Sequence, residues 1–153
     1  MKIEYLADFP EHIHTVNDWT YSEWSHLYNK TKADWLQELK ARLNKNKIPL
    51  TFIALREDKP VGTASIYKYD MSTHKHLSPW LAAVYVAPEH RREGIGTRLV
   101  QRVLKKAQNM GYTTLYLYTP DMMDFYKQLG WKVKEVVNYK NQEVTIMEYN
   151  WDK

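Results

Sequence analysis

Hydrophobic positions along the chain change period several times, and each change marks an element. Lys2 to Leu6 reads as a short strand. From Glu11 to Tyr28, apolar residues (Ile13, Val16, Trp19/Thr20, Trp24, Leu27, Tyr28) recur at helical steps, with a break expected near Asp18 to Ser22. Lys32 to Lys45 reads as a helix with Trp35, Leu36, Leu39 and Leu43 on one face and Lys and Arg opposite. Pro49 to Leu55 and Val61 to Tyr69 read as a strand pair around the polar turn Arg56 to Pro60. Asp70 to Ser78 is a polar connection. Leu81 to Val86, within a strand from Trp80, is apolar or aromatic throughout, as in a strand covered on both faces. Gly94 to Met110 has the clearest amphipathic pattern, with Ile95, Leu99, Val103, Ala107 and Met110 in line and Gly111 as its stop. Thr113 to Tyr118 is a strand. A short helix follows Pro120-Asp121 and ends at Gly130. Trp131 to Tyr139 and Glu143 to Trp151 are strands around Lys140-Asn141-Gln142.

This order predicts an α/β (α+β) fold: a single mixed, mostly antiparallel sheet of about seven strands with helices on both faces. Residues 81–118 should form a right-handed parallel crossover. No linker or repeat divides the chain, so residues 1–153 read as one domain. In open sheets of this kind ligands sit at the carboxyl ends of strands. The stretch at that place is Pro88-Glu89-His90-Arg91-Arg92-Glu93-Gly94-Ile95-Gly96-Thr97. Pro88 stops the strand, the glycines let backbone N–H groups approach a ligand, and the following helix start adds unpaired N–H groups and partial positive charge. It is a candidate anion cradle, most simply for phosphate or pyrophosphate. A P-loop would need Gly-Lys-Ser/Thr, but Thr97-Arg98 follows Gly96. A dinucleotide fingerprint would need a third glycine or alanine, where Leu99 stands.

Composition narrows the classes. Of 153 residues, 44% are apolar, 12 are Tyr and 6 are Trp, which fits a globular protein with amphipathic rings for a cleft. Lysine plus arginine is 22 against 18 aspartate plus glutamate, a net +4, which suits anionic ligands without making a nucleic-acid binder. The absence of cysteine excludes disulfides, thiolate metal sites and cysteine nucleophiles. His12, His14, His26, His74, His76 and His90 show no ligand spacing backed by carboxylates, so no metal is expected. No run is long enough to span a membrane and Met1 to Asp8 lacks a signal layout, so a soluble, cytoplasmic protein is the expectation.

Arg91-x-x-Gly94-x-Gly96 resembles the Arg/Gln-x-x-Gly-x-Gly/Ala signature of the Gcn5-related N-acetyltransferases, the GNAT family. Val84-Tyr85-Val86-Ala87-Pro88 sits where that family's signature strand ends, and Phe125-Tyr126-Lys127-Gln128-Leu129-Gly130-Trp131 resembles its second motif. The resemblance covers roughly Pro49 to Tyr149 and looks like the small bacterial members of unassigned substrate. It implies that residues 49–153 form an acetyl-CoA-binding core and residues 1–48 the acceptor side. It implies that Val84, Tyr85 and Val86 hold the pantetheine arm through their backbone. Backbone N–H groups of Arg91, Arg92, Glu93, Gly94, Ile95, Gly96 and Thr97 would hold the pyrophosphate. Tyr126 would protonate the departing thiolate. The family often has Asn where this chain has Thr119, which leaves one cofactor hydrogen bond open.

The resemblance implies an acetyl-CoA-dependent N-acetyltransferase. It would act on a primary amine by direct attack in a ternary complex, a route that requires no covalent enzyme intermediate and so no cysteine. Glu23 and Asp70 are candidates to steer or deprotonate the amine, and Trp24 and Trp80 to line its pocket. The acceptor stays open between a small molecule and a protein or peptide terminus, and the family brings in a homodimer as an expectation. A module that binds acyl-CoA without turnover is the alternative. A nucleic-acid binder built on Arg102, Lys105 and Lys106 is a third class.

Overall fold

Alternation along the second strand decides how the layers stack. In β2 (Leu50–Arg56), Leu50, Phe52 and Ala54 turn to one face of the sheet and Ile53 and Leu55 to the other, as a period of two requires. The first set is buried with Leu99, Val103 and Ala107 of helix α3 (Ile95–Asn109). The second is buried with Val16 of α1 (Ile13–Trp24) and Leu39 of α2 (Lys32–Lys40). Helices therefore cover both faces.

The computed structural model describes residues 1–151. Beside β2 stand β1 (Lys2–Tyr5), β3 (Lys59–Tyr67), β4 (Trp80–Val86), β5 (Thr114–Thr119), β6 (Lys132–Tyr139) and β7 (Gln142–Asn150). They make one seven-stranded sheet in the order β1-β2-β3-β4-β5-β7-β6. Every neighbouring pair is antiparallel except β4 and β5, which α3 joins as the expected parallel crossover. A fourth helix, α4 (Met123–Gln128), follows β5. A separate cluster of Met71, Leu77, Trp80, Tyr139, Val144 and Ile146 ties the connection after β3 to the β5–β7 half.

The hairpin turns are tighter than the sequence suggested. Glu57 and Asp58 have φ of 51° and 64°, and Lys140 and Asn141 have 50° and 65°. Two successive left-handed residues match the twist of the flanking strands, so β3 already begins at Lys59 and includes Pro60.

Two helices differ from expectation. α1 runs without a break through Asp18 to Ser22; single turns of 3₁₀-helix, Pro10–His12 and Ser25–Leu27, flank it instead. α2 stops at Lys40, not Lys45. The amides of Arg42 and Leu43 reach back to the carbonyls of Leu39 and Lys40 at 2.9 and 3.3 Å, which tightens the final turn and ends the α geometry.

Candidate active site

β4 and β5 begin side by side and then part. Their register holds only Trp80 opposite Tyr116, with the Tyr116 N–H donating to the Pro79 carbonyl at 3.0 Å. The cause lies on the other side of β4. Ala82 pairs with Ser65 and Tyr85 with Thr63, so Ala83 and Val84 together oppose one residue of β3. This is a β-bulge, and Ala83 takes φ of 54°, uncommon for a residue with a Cβ. A bulge bends its strand, and here β4 leaves β5. Beyond it, Tyr85 stands opposite Thr63 and the Ala87 N–H donates to Val61 at 2.9 Å, so both turn toward β3. Backbone groups alternate along a strand, so those of Val84 and Val86 turn into the opening. One is used internally: the Val86 carbonyl accepts from Arg91 Nε at 2.9 Å.

The candidate cradle lies at the end of that strand. Arg92 has φ of 66° and Gly94 of 82°, and the first intrahelical bond of α3 runs from the Arg98 N–H to the Gly94 carbonyl at 3.2 Å. The N–H groups of Ile95, Gly96 and Thr97 thus have no helical partner, and no side chain caps them. A Cβ at Gly94 would meet nothing within 4 Å, and one at Gly96 would stand 3.7 Å from Phe125 and Val86. Together these unpartnered amides make a partially positive cradle.

Side chains around the cradle mostly hold it in shape. Glu93 pairs with Arg56 at the end of β2 and lies 3.7 Å from His90. The Arg56 guanidinium holds the Glu93 carboxyl below the usual carboxylate range. Besides bonding Val86, the Arg91 guanidinium covers the Tyr85 ring at 5.4 Å, while Arg92 is exposed. The Tyr85 ring also stacks on Trp19 at 5.5 Å and meets Trp24 edge-on at 6.3 Å. Its side chain docks α1 onto β4, and its backbone turns toward β3. Ile95 is a core residue whose amide alone faces the cradle.

A cavity of about 550 Å³ fills the opening between β4 and β5 and runs under α1 and α2. Tyr126, on α4, lines it. The ring is 8% exposed, wedged edge-on against Phe125 and Trp131 at 5.0 and 6.0 Å. Among the described residues its hydroxyl has no hydrogen-bond partner. Burial, helped by the charge of Asp121, pushes its ionisation upward, so it stays a neutral phenol through ordinary pH. Thr119 lies on the same wall, and its Oγ1 accepts from the N–H groups of Met122 and Asp121 at 3.0 and 3.4 Å, capping the turn into α4.

Of the acceptor-side candidates, Glu23, Trp24 and Asp70 line this cavity and Trp80 does not. Trp80 is wholly buried, its Nε1 donates to the Leu77 carbonyl at 2.7 Å, and its ring packs on Tyr116 and Tyr118. The strand phase at the start of β4 turns it into the core, which corrects the expectation that it lines the pocket. Sequence reasoning also missed Tyr28, Arg42, Tyr67 and Tyr118, which join Asp70 on the wall. By its pattern Arg42 belongs to the solvated face of α2; its guanidinium instead stacks on the Tyr67 ring at 4.2 Å and lies 3.7 Å from Glu38. The one signal available was the density of tyrosines at strand ends. Burial pushes the Asp70 carboxyl up to about 7 against the opposing pull of Arg42. Desolvation likewise pushes Tyr67 up to about 12. Among the described residues no group of three or more His, Asp or Glu could hold a metal ion.

This geometry has many counterparts. An aminoglycoside 6'-N-acetyltransferase solved with coenzyme A superposes with a TM-score of 0.78 at 20% identity, covering 98% of this chain and 97% of that one. A ribosomal-protein-alanine N-acetyltransferase from Brucella melitensis gives 0.74 at 19% identity over 99% and 100%. At such identities these show the shared fold. In sequence, the chain is 36% identical over 69 residues to a thialysine N-epsilon-acetyltransferase of Bos taurus, 42% of this chain and 41% of that protein. It is 33% identical over 85 residues to human N-acetyltransferase 8, 53% and 37% of the two chains. The match thus spans about two fifths of these relatives' own length. The Acetyltransferase (GNAT) family profile matches residues 11–131, a stretch that includes the bulged strand, the cradle and Tyr126. With most of its length matched by that profile, this chain belongs to the GNAT acetyltransferase family.

Proposed function

We propose that this protein transfers acetyl from acetyl-CoA to a primary amine by direct attack within a ternary complex. The observation that carries the reading is the cavity at the β4–β5 opening. Tyr126, the bulged pair Ala83 and Val84, and the acidic residues Glu23 and Asp70 all line it. The residues present fit acetyl-CoA as co-substrate. The uncapped amides of Ile95, Gly96 and Thr97 suit its pyrophosphate. The turned-out backbone of Val84 and the Val86 N–H suit its amide arm, as an added strand would be held. The thioester then supplies an activated acyl group at the bulge, where a backbone N–H serves the developing oxyanion. Tyr126, a phenol at neutral pH, donates its proton to the departing thiolate.

Thiol release from acetyl-CoA over a panel of amines tests this. The panel should include spermidine, an aminoglycoside and N-terminal peptides. Tyr126→Phe should lower kcat by about 10²–10⁴-fold, the usual worth of a general acid, with the KM for acetyl-CoA within a few-fold. A Tyr126→Phe rate within a few-fold of wild type would remove the general-acid role. Tight acetyl-CoA binding with no turnover on any amine would favour the binding-module alternative.

A further inference from the structure

An ammonium group has no lone pair, so an acceptor amine must lose a proton before it can attack. A lysine-like amine titrates near 10.4, roughly three units above neutral pH, so the site itself has to take that proton. The β4 wall cannot, because Leu81, Ala82, Ala83 and Val84 carry no titratable group. Tyr126 keeps its own proton. Among the cavity carboxyls, Glu38 is already paired with Lys30 at 2.7 Å and Arg42 at 3.7 Å. Glu23, Asp121 and His26, the one imidazole on the lining, are exposed, where water screens their charge.

Asp70 differs from all of these. It directly follows the residues after β3 that enter the cavity, and it is half-buried. Among the described residues it has neither an ion pair nor a hydrogen-bond donor, although Arg42 is a neighbour. Arg42 is held off by Glu38 and the Tyr67 ring. The groups facing Asp70 are Glu38 of α2 and Arg42 just beyond its end, Tyr28 of the α1–α2 connection, Tyr67 and Tyr69 beside it, and Tyr118 of β5. Lys140, on the β6–β7 turn, lies over the outer face of Tyr28 at 4.6 Å. An unpaired carboxylate ringed by aromatic rings is a seat for an alkylammonium, which gains from both the charge and the ring faces.

We propose that Asp70 seats the cationic acceptor amine and takes its proton before attack, an inference that rests on the acetyltransferase reading. The ammonium proton passes to the Asp70 carboxylate. The freed nitrogen lone pair forms the N–C bond and the C–S bond breaks. Tyr126 gives its proton to the thiolate and is reprotonated by the second proton leaving nitrogen; Asp70 returns its own to solvent. The net products are the amide, the thiol and one proton. The raised carboxyl of Asp70, at about 7, matches the task of a base working near neutrality.

The test is a pH–rate profile with the best amine of the panel, for wild type, Asp70→Asn and Asp70→Glu, with acetyl-CoA affinity measured by calorimetry. The carboxylate is the active form, so wild-type kcat/KM for the amine should rise with pH and level off above about 7. Asp70→Asn should lose on the order of 100-fold in kcat/KM for the amine, together with that acidic limb, while binding acetyl-CoA as wild type does. Asp70→Glu should restore part of the rate with a displaced limb. Asp70→Asn that works within a few-fold of wild type and keeps the limb would overturn the proposal and leave the acetyltransferase reading standing. Wild type that binds acetyl-CoA and turns over no amine would overturn that reading and this inference with it.

Discussion

At the scale of single residues, two glycines of the cradle do different jobs and can be separated. Gly94 has φ of 82°, a conformation in which a Cβ crowds the following carbonyl even though nothing else stands near. Gly96 lies in the first turn of α3 with ordinary backbone geometry, and a Cβ there would make ordinary contact with Phe125 and Val86 at 3.7 Å. Gly94→Ala should therefore cost about 1 kcal/mol in stability, measured by denaturant unfolding. Gly96→Ala should leave stability unchanged or slightly higher, because alanine is the better helix former. It should leave the KM for acetyl-CoA within a few-fold, because the signature admits alanine at this place and a Cβ there meets only Phe125 and Val86 at ordinary contact distance. A KM raised about tenfold or more by Gly96→Ala would mean that the added methyl group reaches the bound pyrophosphate. Arg91 acts through its side chain instead: its Nε is committed to the Val86 carbonyl and its plane to Tyr85.

At the scale of elements, the site depends on one strand that bends and one helix that is short. The bulge at Ala83 parts β4 from β5, and α1 and α2 then roof the opening. α2 has nine residues, too few to be stable alone. It is held at its start by a capping box, in which Thr31 Oγ1 accepts from the Asp34 N–H at 3.0 Å and Asp34 accepts from the Thr31 N–H at 3.3 Å. Its cavity side carries Trp35, Glu38 and Arg42, the last just beyond its end. Removing the cap should loosen this wall and spare the cradle, which belongs to other elements. Thr31→Ala is expected to cost about 1 kcal/mol and to raise the KM for the amine several-fold, with the KM for acetyl-CoA unmoved. If both KM values rose together, the two halves of the site would not be mechanically separate.

Across the whole molecule, the half-buried carboxyl of Asp70 ties stability to pH. Its folded-state value, about 7, stands above the 3.8 of a free aspartate, so between these values the folded protein holds a proton that the unfolded chain has released. Stability contributed by this group is therefore full below about pH 4, is lost as pH rises toward 7, and stays lost above it. Asp70→Asn should accordingly raise Tm at about pH 8 relative to wild type and change it little at about pH 4, as thermal unfolding at the two pH values would show. An asparagine variant less stable at the higher pH would mean that Asp70 is better paired than its surroundings indicate. The sequence by itself determined the order of elements and the cradle, because both rest on local rules. A period of two or of three to four residues is written along each segment, and Arg91 to Thr97 supplies turn, glycines and helix start within one contiguous stretch. Tyr126 was legible for the same reason, as part of a contiguous motif. Only the tertiary structure decided that Asp70, Tyr28, Arg42, Tyr67 and Tyr118 share a wall, that Trp80 belongs to the core, and that Arg91 is a brace. These depend on which way each side chain faces once strands are in register. A single bulged residue, Ala83, resets that direction for everything after it, and nothing in an alanine's local sequence announces a left-handed turn of the backbone.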